Sequence, residues 1–534
     1  MASSAAWRTS PPVFVLTVDW GPHPIRVATR RVVVTDRKGQ VRQYAAGLEE
    51  PEVEESVSLG GQSSGPRDVT VRMLLSVDLS ERMAKGASWW NVQGELALWS
   101  EAEAWEERVV LLSGRITPVS GGRRGSLLEL QLSEPAWEDP ALFPPPEATV
   151  SKKTWPDAPE SSLGARYPWV FGVAAGALRD DDGTAYSVPA TPAICVDESG
   201  NRLLVAGHRV LASTVIVKNE TRGASATLAA STVRDGLGAY VSVVDFTGEA
   251  SGHGDPEDDW LADDTYSVRD WGDGALQAED GEGPLRGLGD LMLFLSRRSG
   301  VTMDLAAWRS IRDVGNRLEI GGYLDDSNPP LGTIKDVFLP LLPDVTLASG
   351  PKGIRPVWFR PLSGGHAAPI TIGATYARVN PDPTTSDSEP VTDVDVSYGY
   401  DVEKGEYRGR AGVTGDPWAG VLGPTTHSRT GRARHGRPER VSLESRWLWS
   451  SRCAQDVART TVRMGWTPPE QDVLSCPIWA YPLFPLGEVV EVTDEDADRY
   501  GQRWWVTGRA LRGGRVELSL ERVEDPVSAS RRAA

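Results

Sequence analysis

A chain of 534 residues with ordinary apolar content is too long for one hydrophobic core, and three or four domains are expected. No run of about 18 apolar residues occurs, which excludes a membrane-spanning helix. The formal charge of −18 disfavours gripping DNA or anionic lipid, but it permits DNA to pass without adhesion.

Residues 1–133 read as one β domain. Its opening, residues 1–8, lacks the apolar core of a signal peptide. Residues 13–18, 32–34, 69–75 and 95–99 are β-rich runs separated by Gly and Ser loops, as in sandwiches or barrels. The domain closes on a hairpin pattern, Arg108 through Gly114-Arg115, then Gly121-Gly122, then Leu128-Glu129-Leu130-Gln131-Leu132. Residues 134–165 are rich in Pro, Glu and Ser, with Pro144-Pro145-Pro146 inside, and read as an extended linker.

A middle β domain spans 166–283. It begins with Tyr167-Pro168-Trp169-Val170-Phe171-Gly172, contains Leu203-Leu204-Val205-Ala206-Gly207-His208, and ends in an acidic loop. A helical insert follows at 284–350. Leu285, Leu288, Leu291, Met292 and Leu295 recur at helical spacing, with Gly300 as the stop. Asp304 can cap a second helix carrying Leu305, Trp308 and Ile311. Thr333 with Asp336 resembles a capping box for a third, which bears Val337, Phe338, Leu341 and Leu342 and ends at Pro343. Three helices this short need a sheet or a neighbouring subunit to cover their apolar faces.

Residues 351–525 return to strands. The pattern adds one helix at about 451–464 and a final hairpin, Arg503 through Gly508-Arg509, Gly513-Gly514, then Val516-Glu517-Leu518-Ser519-Leu520. This hairpin repeats the order and chemistry of the one that closes residues 1–133, which points to two related barrel-like domains near the two ends. Residues 526–534 are expected to be a disordered tail. The fold class is therefore mainly β and multidomain: two end barrels, a middle β domain and a short-helix insert.

Catalytic and metal signatures are weak. Gly61-Gln62-Ser63-Ser64-Gly65 fits the nucleophile-elbow pattern but lies in a Gly/Ser loop without the strand and helix that an elbow requires. The six histidines, at 23, 208, 253, 366, 427 and 435, show no ligand spacing. Cys195, Cys453 and Cys476 are far apart and odd in number, which points to reduced thiols and not to a disulfide frame or zinc. Asp255, Glu257, Asp258, Asp259, Asp263 and Asp264 could supply Ca²⁺ ligands or a glycosidase pair, but no specific spacing separates these readings from a solvated loop. Asn219-Glu220-Thr221 matches a glycosylation sequon, which has no meaning without secretion. No metal, cofactor or catalytic residue is expected.

Partner contacts are more legible. Only eight of the 56 basic residues are lysines, and twenty tryptophans accompany the arginines. Both types favour buried contact surfaces, although large Trp residues also fill small β cores. Trp89, Trp90, Trp169, Phe171, Trp308, Trp504 and Trp505 are the candidate subunit or partner interface. Arg429, Arg432, Arg434 and Arg437, within one Gly/Arg loop, are candidates for contact with a partner's carboxylates or with phosphates.

Three places resemble the baseplate or tail-tip hub proteins of long-tailed bacteriophages and related gene-transfer particles. They are the Tyr167–Gly172 and Leu203–His208 motifs, the helical stretch 288–342, and the closing region with Val396-Ser397-Tyr398-Gly399-Tyr400, the helix at 451–464 and Pro485-Leu486-Gly487-Glu488-Val489-Val490. The resemblance implies a non-enzymatic homotrimeric ring at the end of the tail tube. Each subunit would contribute two tube-like barrels, so that a threefold tip matches a sixfold tube around a DNA exit channel. It also implies a virion location after synthesis in the host cytoplasm. Its implied partners are a distal tail protein, the tape-measure protein C-terminus and tip or fibre proteins, with transient passage of DNA and no membrane insertion. The chain departs from some hubs in carrying no lysozyme or peptidase module. A receptor- or glycan-binding tail protein, built on the tryptophans, and a polysaccharide hydrolase using Asp258 and Asp259 are the alternatives.

Overall fold

The computed structural model describes residues 7–20, 24–59, 65–74, 81, 90–120, 127–172, 178–179, 185–186, 190–198, 201–246, 262–271, 275–277, 284–285, 287–362, 367–380, 382–401, 405–414, 440–466, 468–495 and 499–523. The chain is mainly β with a small helical insert, as expected. The first region supplies β1 (Val13–Asp19), β2 (Ile25–Ala28), β3 (Val32–Thr35), β4 (Val41–Ala46), β5 (Val53–Ser56), β6 (Asp68–Leu74), β7 (Val92–Trp99), β8 (Val109–Ser120) and β9 (Leu127–Ser133). All but β5 form one sheet in the order β3-β4-β2-β1-β7-β8-β9-β6. Alternation sets its inner face: Val69, Val71 and Met73 of β6 and Leu128, Leu130 and Leu132 of β9 are buried, and the residues between them face outward. The Leu74 N–H donates to the Gly47 carbonyl at 2.7 Å, and Glu49 donates to the Arg72 carbonyl at 2.9 Å. The chain just past β4 thus meets the free edge of β6, and the sheet curls closed.

Residues 134–165 are not the free linker their prolines suggested. They form an ordered strap, because apolar side chains spaced along it find surfaces on both sides. Asp139 accepts from the N–H groups of Gly300 (2.7 Å) and Leu331 (3.1 Å). Val150, Trp155 and Ala158 are buried against Leu204, Val241 and Val243 of the middle domain. That domain follows β10 (Trp169–Gly172) and the short pair β11 (Leu178–Arg179) and β12 (Ala185–Tyr186). It comprises β13 (Thr191–Cys195), β14 (Arg202–Ala206), β15 (Thr214–Asn219), β16 (Ser225–Arg234), β17 (Tyr240–Asp245) and β18 (Tyr266–Asp270), closed as β13-β14-β17-β16-β15-β18. β16 pairs with β15 through its first half and with β17 through its second, so it turns the corner of the barrel.

The helical insert begins with α1 (Leu288–Ser296), which ends before Gly300 and is buried on every side. It carries no polar face because α2 (Leu305–Ser310) and α3 (Arg312–Gly315) wrap it. A Cβ on Gly289 would stand 2.0 Å from the Arg312 carbonyl oxygen, so this crossing requires glycine. Asp304 caps α2 as expected, accepting from Ala306 and Ala307 at 3.2 Å. The third helix differs from expectation. α4 (Pro330–Thr333) starts three residues earlier, with Pro330 in its first turn, and continues as a π turn (Ile334–Phe338) and a 3-10 turn (Leu339–Leu341). Thr333 is inside it and donates to the Pro329 carbonyl, so no capping box forms, and Val337 is exposed. Proline at the helix start needs no N–H partner, which favours the earlier entry.

The remaining strands are β19 (Gly321–Leu324), β20 (Val345–Ala348), β21 (Arg355–Trp358), β22 (Ala368–Thr371), β23 (Ala377–Arg378), β24 (Thr384–Thr385), β25 (Asp393–Asp401), β26 (Glu406–Thr414), β27 (Arg440–Glu444), β28 (Glu470–Pro477), β29 (Val489–Asp494), β30 (Arg499–Arg512) and β31 (Arg515–Arg522), with α5 (Ser451–Gly465) before β28. They do not make one domain over 351–525. The sheet β26-β25-β27 and α5 share a core with the insert helices, where Val394, Val396, Trp447, Val457 and Val462 meet Leu291, Phe294 and Phe338. This is the sheet that the short helices needed. β19 pairs with β10, and β20 with β21 in a two-stranded sheet. β22, β29, β30, β31, β28 and β23 form the end sheet in that order, with β24 beside β28, and its inner residues join those of the first sheet in one continuous core.

Candidate assembly interface

The two end sheets are joined by a strand that crosses between them. β5, which follows β4 in the chain but is not part of the first sheet, pairs antiparallel with β30, Val53 opposite Leu511 and Glu55 opposite Arg509. Val53 and Glu55 share its inner face, and Glu54 and Ser56 face out. Glu55 thus enters the seam as a buried acid. It accepts from Arg67 at 3.2 Å and from the Tyr481 hydroxyl at 3.1 Å, and it pairs with Arg509. Arg67 also donates to Glu134 at 2.5 Å and to the Leu111 carbonyl at 2.9 Å, and Arg509 donates to the Tyr481 carbonyl at 3.0 Å. Burial pulls Arg509 down to about 9, so it remains a cation at neutral pH. Burial pushes the Tyr481 phenol up to about 12, so it remains a donor. The network ties three chain regions far apart in sequence.

Sequence reasoning missed these residues. Their signal is phase: Glu55 and Arg509 are charges at apolar positions of strands, where an unpaired charge would be costly.

The end sheets share a strand order. In the first, β6 to β9 lie as β7-β8-β9-β6. In the last, β28 to β31 lie as β29-β30-β31-β28, and every pair in both is antiparallel. Leu128, Leu130 and Leu132 match Val516, Leu518 and Leu520 in burial and in the strand they face. The Gly-Arg steps that look alike in sequence are not equivalent: Gly508 lies opposite Ser519 within the hairpin, whereas Gly114 lies past the Arg115–Ser133 pair. Gly513 and Gly514 take φ of +54° and +70°, the left-handed pair of a two-residue hairpin turn.

The motifs Tyr167–Gly172 and Leu203–His208 meet in space. Gly207 donates to the Pro168 carbonyl at 2.8 Å. The His208 ring lies 5.1 Å from Trp169, with Nε2 2.8 Å from the Val170 carbonyl and Nδ1 3.0 Å from that of Arg209. Burial lowers the His208 pKa, so the ring is neutral and can donate from only one nitrogen. Phe143 of the strap and Phe294 of α1 pack on the same Trp169. β10 itself pairs with β19, so this joint fixes the middle barrel to the helical body.

Most of the expected contact aromatics are already covered. Phe171, Trp308, Trp504 and Trp505 lie in the chain's own core, where their size fills inter-element space, and Trp169 is half-buried in the joint. Trp90 is 68% exposed. Trp89, Arg429, Arg432, Arg434 and Arg437 lie outside the described residues, as do Gly61–Ser64, Asp255, Glu257, Asp258, Asp259 and residues 526–534. Asp263 and Asp264 are engaged within the fold by Ser161, Asn219 and Arg222. Among the described residues no cluster of His, Cys, Asp or Glu could hold a metal, and no helix is long and apolar enough to cross a membrane. All three cysteines are buried and none forms a disulfide.

No protein-family model matches the sequence, and no curated protein matches it. Among solved structures, the chain is similar to a 43 kDa tail protein of prophage MuSo2 from Shewanella oneidensis, at 9% identity over 97% of this chain and 99% of that one, with a TM-score of 0.38. It is similar to a tail protein from Neisseria meningitidis MC58 at 10% identity over 95% and 96%, with a TM-score of 0.37. It is also similar to a prophage tail protein, gp18, from Listeria monocytogenes EGD-e at 9% identity over 60% and 91%, with a TM-score of 0.23. At such low identities and TM-scores the likeness is remote and assigns no family.

Proposed function

We propose that this chain is a non-enzymatic structural protein of a phage tail: a tip or baseplate hub that assembles as a homotrimeric ring. The reading rests on the repeated strand order of the two end sheets. One polypeptide that carries the same four-strand unit twice offers six such units per trimer, so a threefold ring can seat on a sixfold tube. The crossing strand β5 and the shared core hold the two units in one fixed relation, as such a ring requires. The net charge of −18 suits a channel through which DNA passes without adhering. In this reading the partners are a distal tail protein, the end of a tape-measure protein and tip or fibre proteins.

Native mass spectrometry of the purified chain is expected to give a trimer. Electron microscopy of particles is expected to place the chain at the tail end, with both end sheets in the ring. A strict monomer that never enters particles would overturn the reading.

A further inference from the structure

Where the strap leaves β9 it passes over the outward side of β7 and β8 and meets the turn between β20 and β21. Together these segments enclose a cleft of about 300 Å³, the small end of the range for ligand pockets. Its floor is polar. Gln93 of β7 lies directly opposite Arg115 of β8, and Ser113 stands two residues along on the same face. Gln93 Nε2 donates to Ser113 Oγ at 3.1 Å, and Arg115 donates to the Asn91 carbonyl at 3.3 Å. The Gln93 carbonyl and the other guanidinium N–H groups make no hydrogen bond with a described residue. One wall is the half-buried Trp137. Its indole N–H donates to Ser349 Oγ at 3.1 Å and Lys335 lies 5.8 Å from the ring centre, so the ring is held in place. The nearby carboxylates are already neutralised. Glu134 accepts from Arg67 at 2.5 Å, and Glu95, opposite Ser113, pairs with Arg108 at 2.9 Å.

A fixed aromatic plane beside an amide, a guanidinium and a hydroxyl suits a sugar. The C–H face of a pyranose ring packs on the indole, and its neighbouring hydroxyls, each both donor and acceptor, meet side chains that offer both. Glu134 and Glu95 disfavour an anion in the cleft, and Arg115 disfavours a cation. We propose that this cleft binds one neutral hexose-type unit of a glycan, with Trp137 as the platform and Gln93 and Arg115 as the hydrogen-bonding pair across the two strands. The site adds a binding activity to the structural role and does not depend on the trimer.

The test titrates the full-length protein with the methyl glycosides of glucose, galactose and N-acetylglucosamine, read by saturation-transfer NMR and calorimetry. At least one glycoside is expected to bind saturably, with a Kd on the order of 1 mM for a single sugar unit. Gln93→Ala and Arg115→Met, both at exposed positions, are expected to weaken that binding at least about threefold each. Ala136→Trp, at the exposed rim, should fill the cleft and abolish it, which gives a second readout that removes no existing contact. Tyr240→Ala, at an exposed tyrosine of the middle barrel, should leave it unchanged. The proposal falls if no glycoside saturates at tenfold that concentration. It falls equally if binding survives the three cleft substitutions, because the sugar then sits elsewhere. If glucuronate and inorganic sulfate bind while the neutral glycosides do not, Arg115 holds an anion and the saccharide assignment is wrong. These readouts are made on the purified chain and none requires tail assembly, so they stand apart from the trimer test.

Discussion

At the scale of single residues, Glu55 and Glu54 are neighbours in sequence with opposite consequences. Glu55 is the shared acceptor of Arg67, Arg509 and Tyr481, and its removal strands buried cations. Glu55→Ala is therefore expected to lose about 3–5 kcal/mol in denaturant unfolding. Glu54→Ala, on the exposed face of the same strand, should stay within about 0.5 kcal/mol. Equal effects would mean that the seam is wet. His208 supplies a second expectation, in pH. Its folded pKa is held below the ordinary value of 6.5 by burial, with Arg298 acting in the same direction and the Arg209 and Val170 carbonyls opposing. Below 6.5 the unfolded chain takes up a proton that the folded joint resists. The contribution of the neutral ring is thus complete above 6.5 and declines as pH falls from there toward the folded pKa. His208→Gln, which keeps one N–H donor but cannot titrate, should flatten the stability curve of the joint over that acidic window. An unchanged slope would show that the ring is not the titrating group.

At the scale of elements, the clearest sequence signals were local. The Asp304 cap, the apolar spacing around Leu288 and the helix at 451–464 each depend on residues within a few positions of one another, and the chain forms them there. The third helix was misplaced because Pro330 offered a start that the Thr333 pattern concealed. The strap was misread because composition reports prolines and not the surfaces waiting for Phe143, Val150 and Trp155. The crossing of β5 was not legible at all: Val53-Glu54-Glu55-Ser56 is a short strand like many others, and its partner Tyr481 lies 426 residues away. The pairing it makes can be tested directly. Val57 donates to the Thr507 carbonyl, so Glu54 and Ala510, three positions away on each strand, form a non-hydrogen-bonded pair. Such a pair brings the Cα atoms to about 4.5 Å, within disulfide range. The double substitution Glu54→Cys, Ala510→Cys should oxidise spontaneously and yield a mobility shift reversed by reductant. Failure to cross-link, with the folded state intact, would refute the register.

At the scale of the molecule, the sequence suggested separable domains, whereas the packing argues for unequal coupling. The first and last sheets share one core running from Leu16 and Leu96 to Leu518 and Leu520, with β5 and the Glu55 network inside it. The middle barrel has its own core around Leu203, Val217 and Val268, and the strap adds a second small core on its outer face. Cooperative units follow buried contact and not chain order. Residues near opposite ends of the chain should therefore unfold together, while the segment between them opens on its own. Native-state hydrogen exchange across a denaturant series can read this. Amides of β7 and of β31 should share one opening free energy and one denaturant slope, and amides of β14 and β17 should show a different pair. Glu55→Ala should lower the first value at both ends equally and leave the second nearly fixed, because the network does not reach the middle barrel. Loss of protection in β31 without loss in β7 would show that the two sheets are independent bodies. The fixed geometry on which a ring of repeated units depends would then have to come from neighbouring subunits and not from the chain itself.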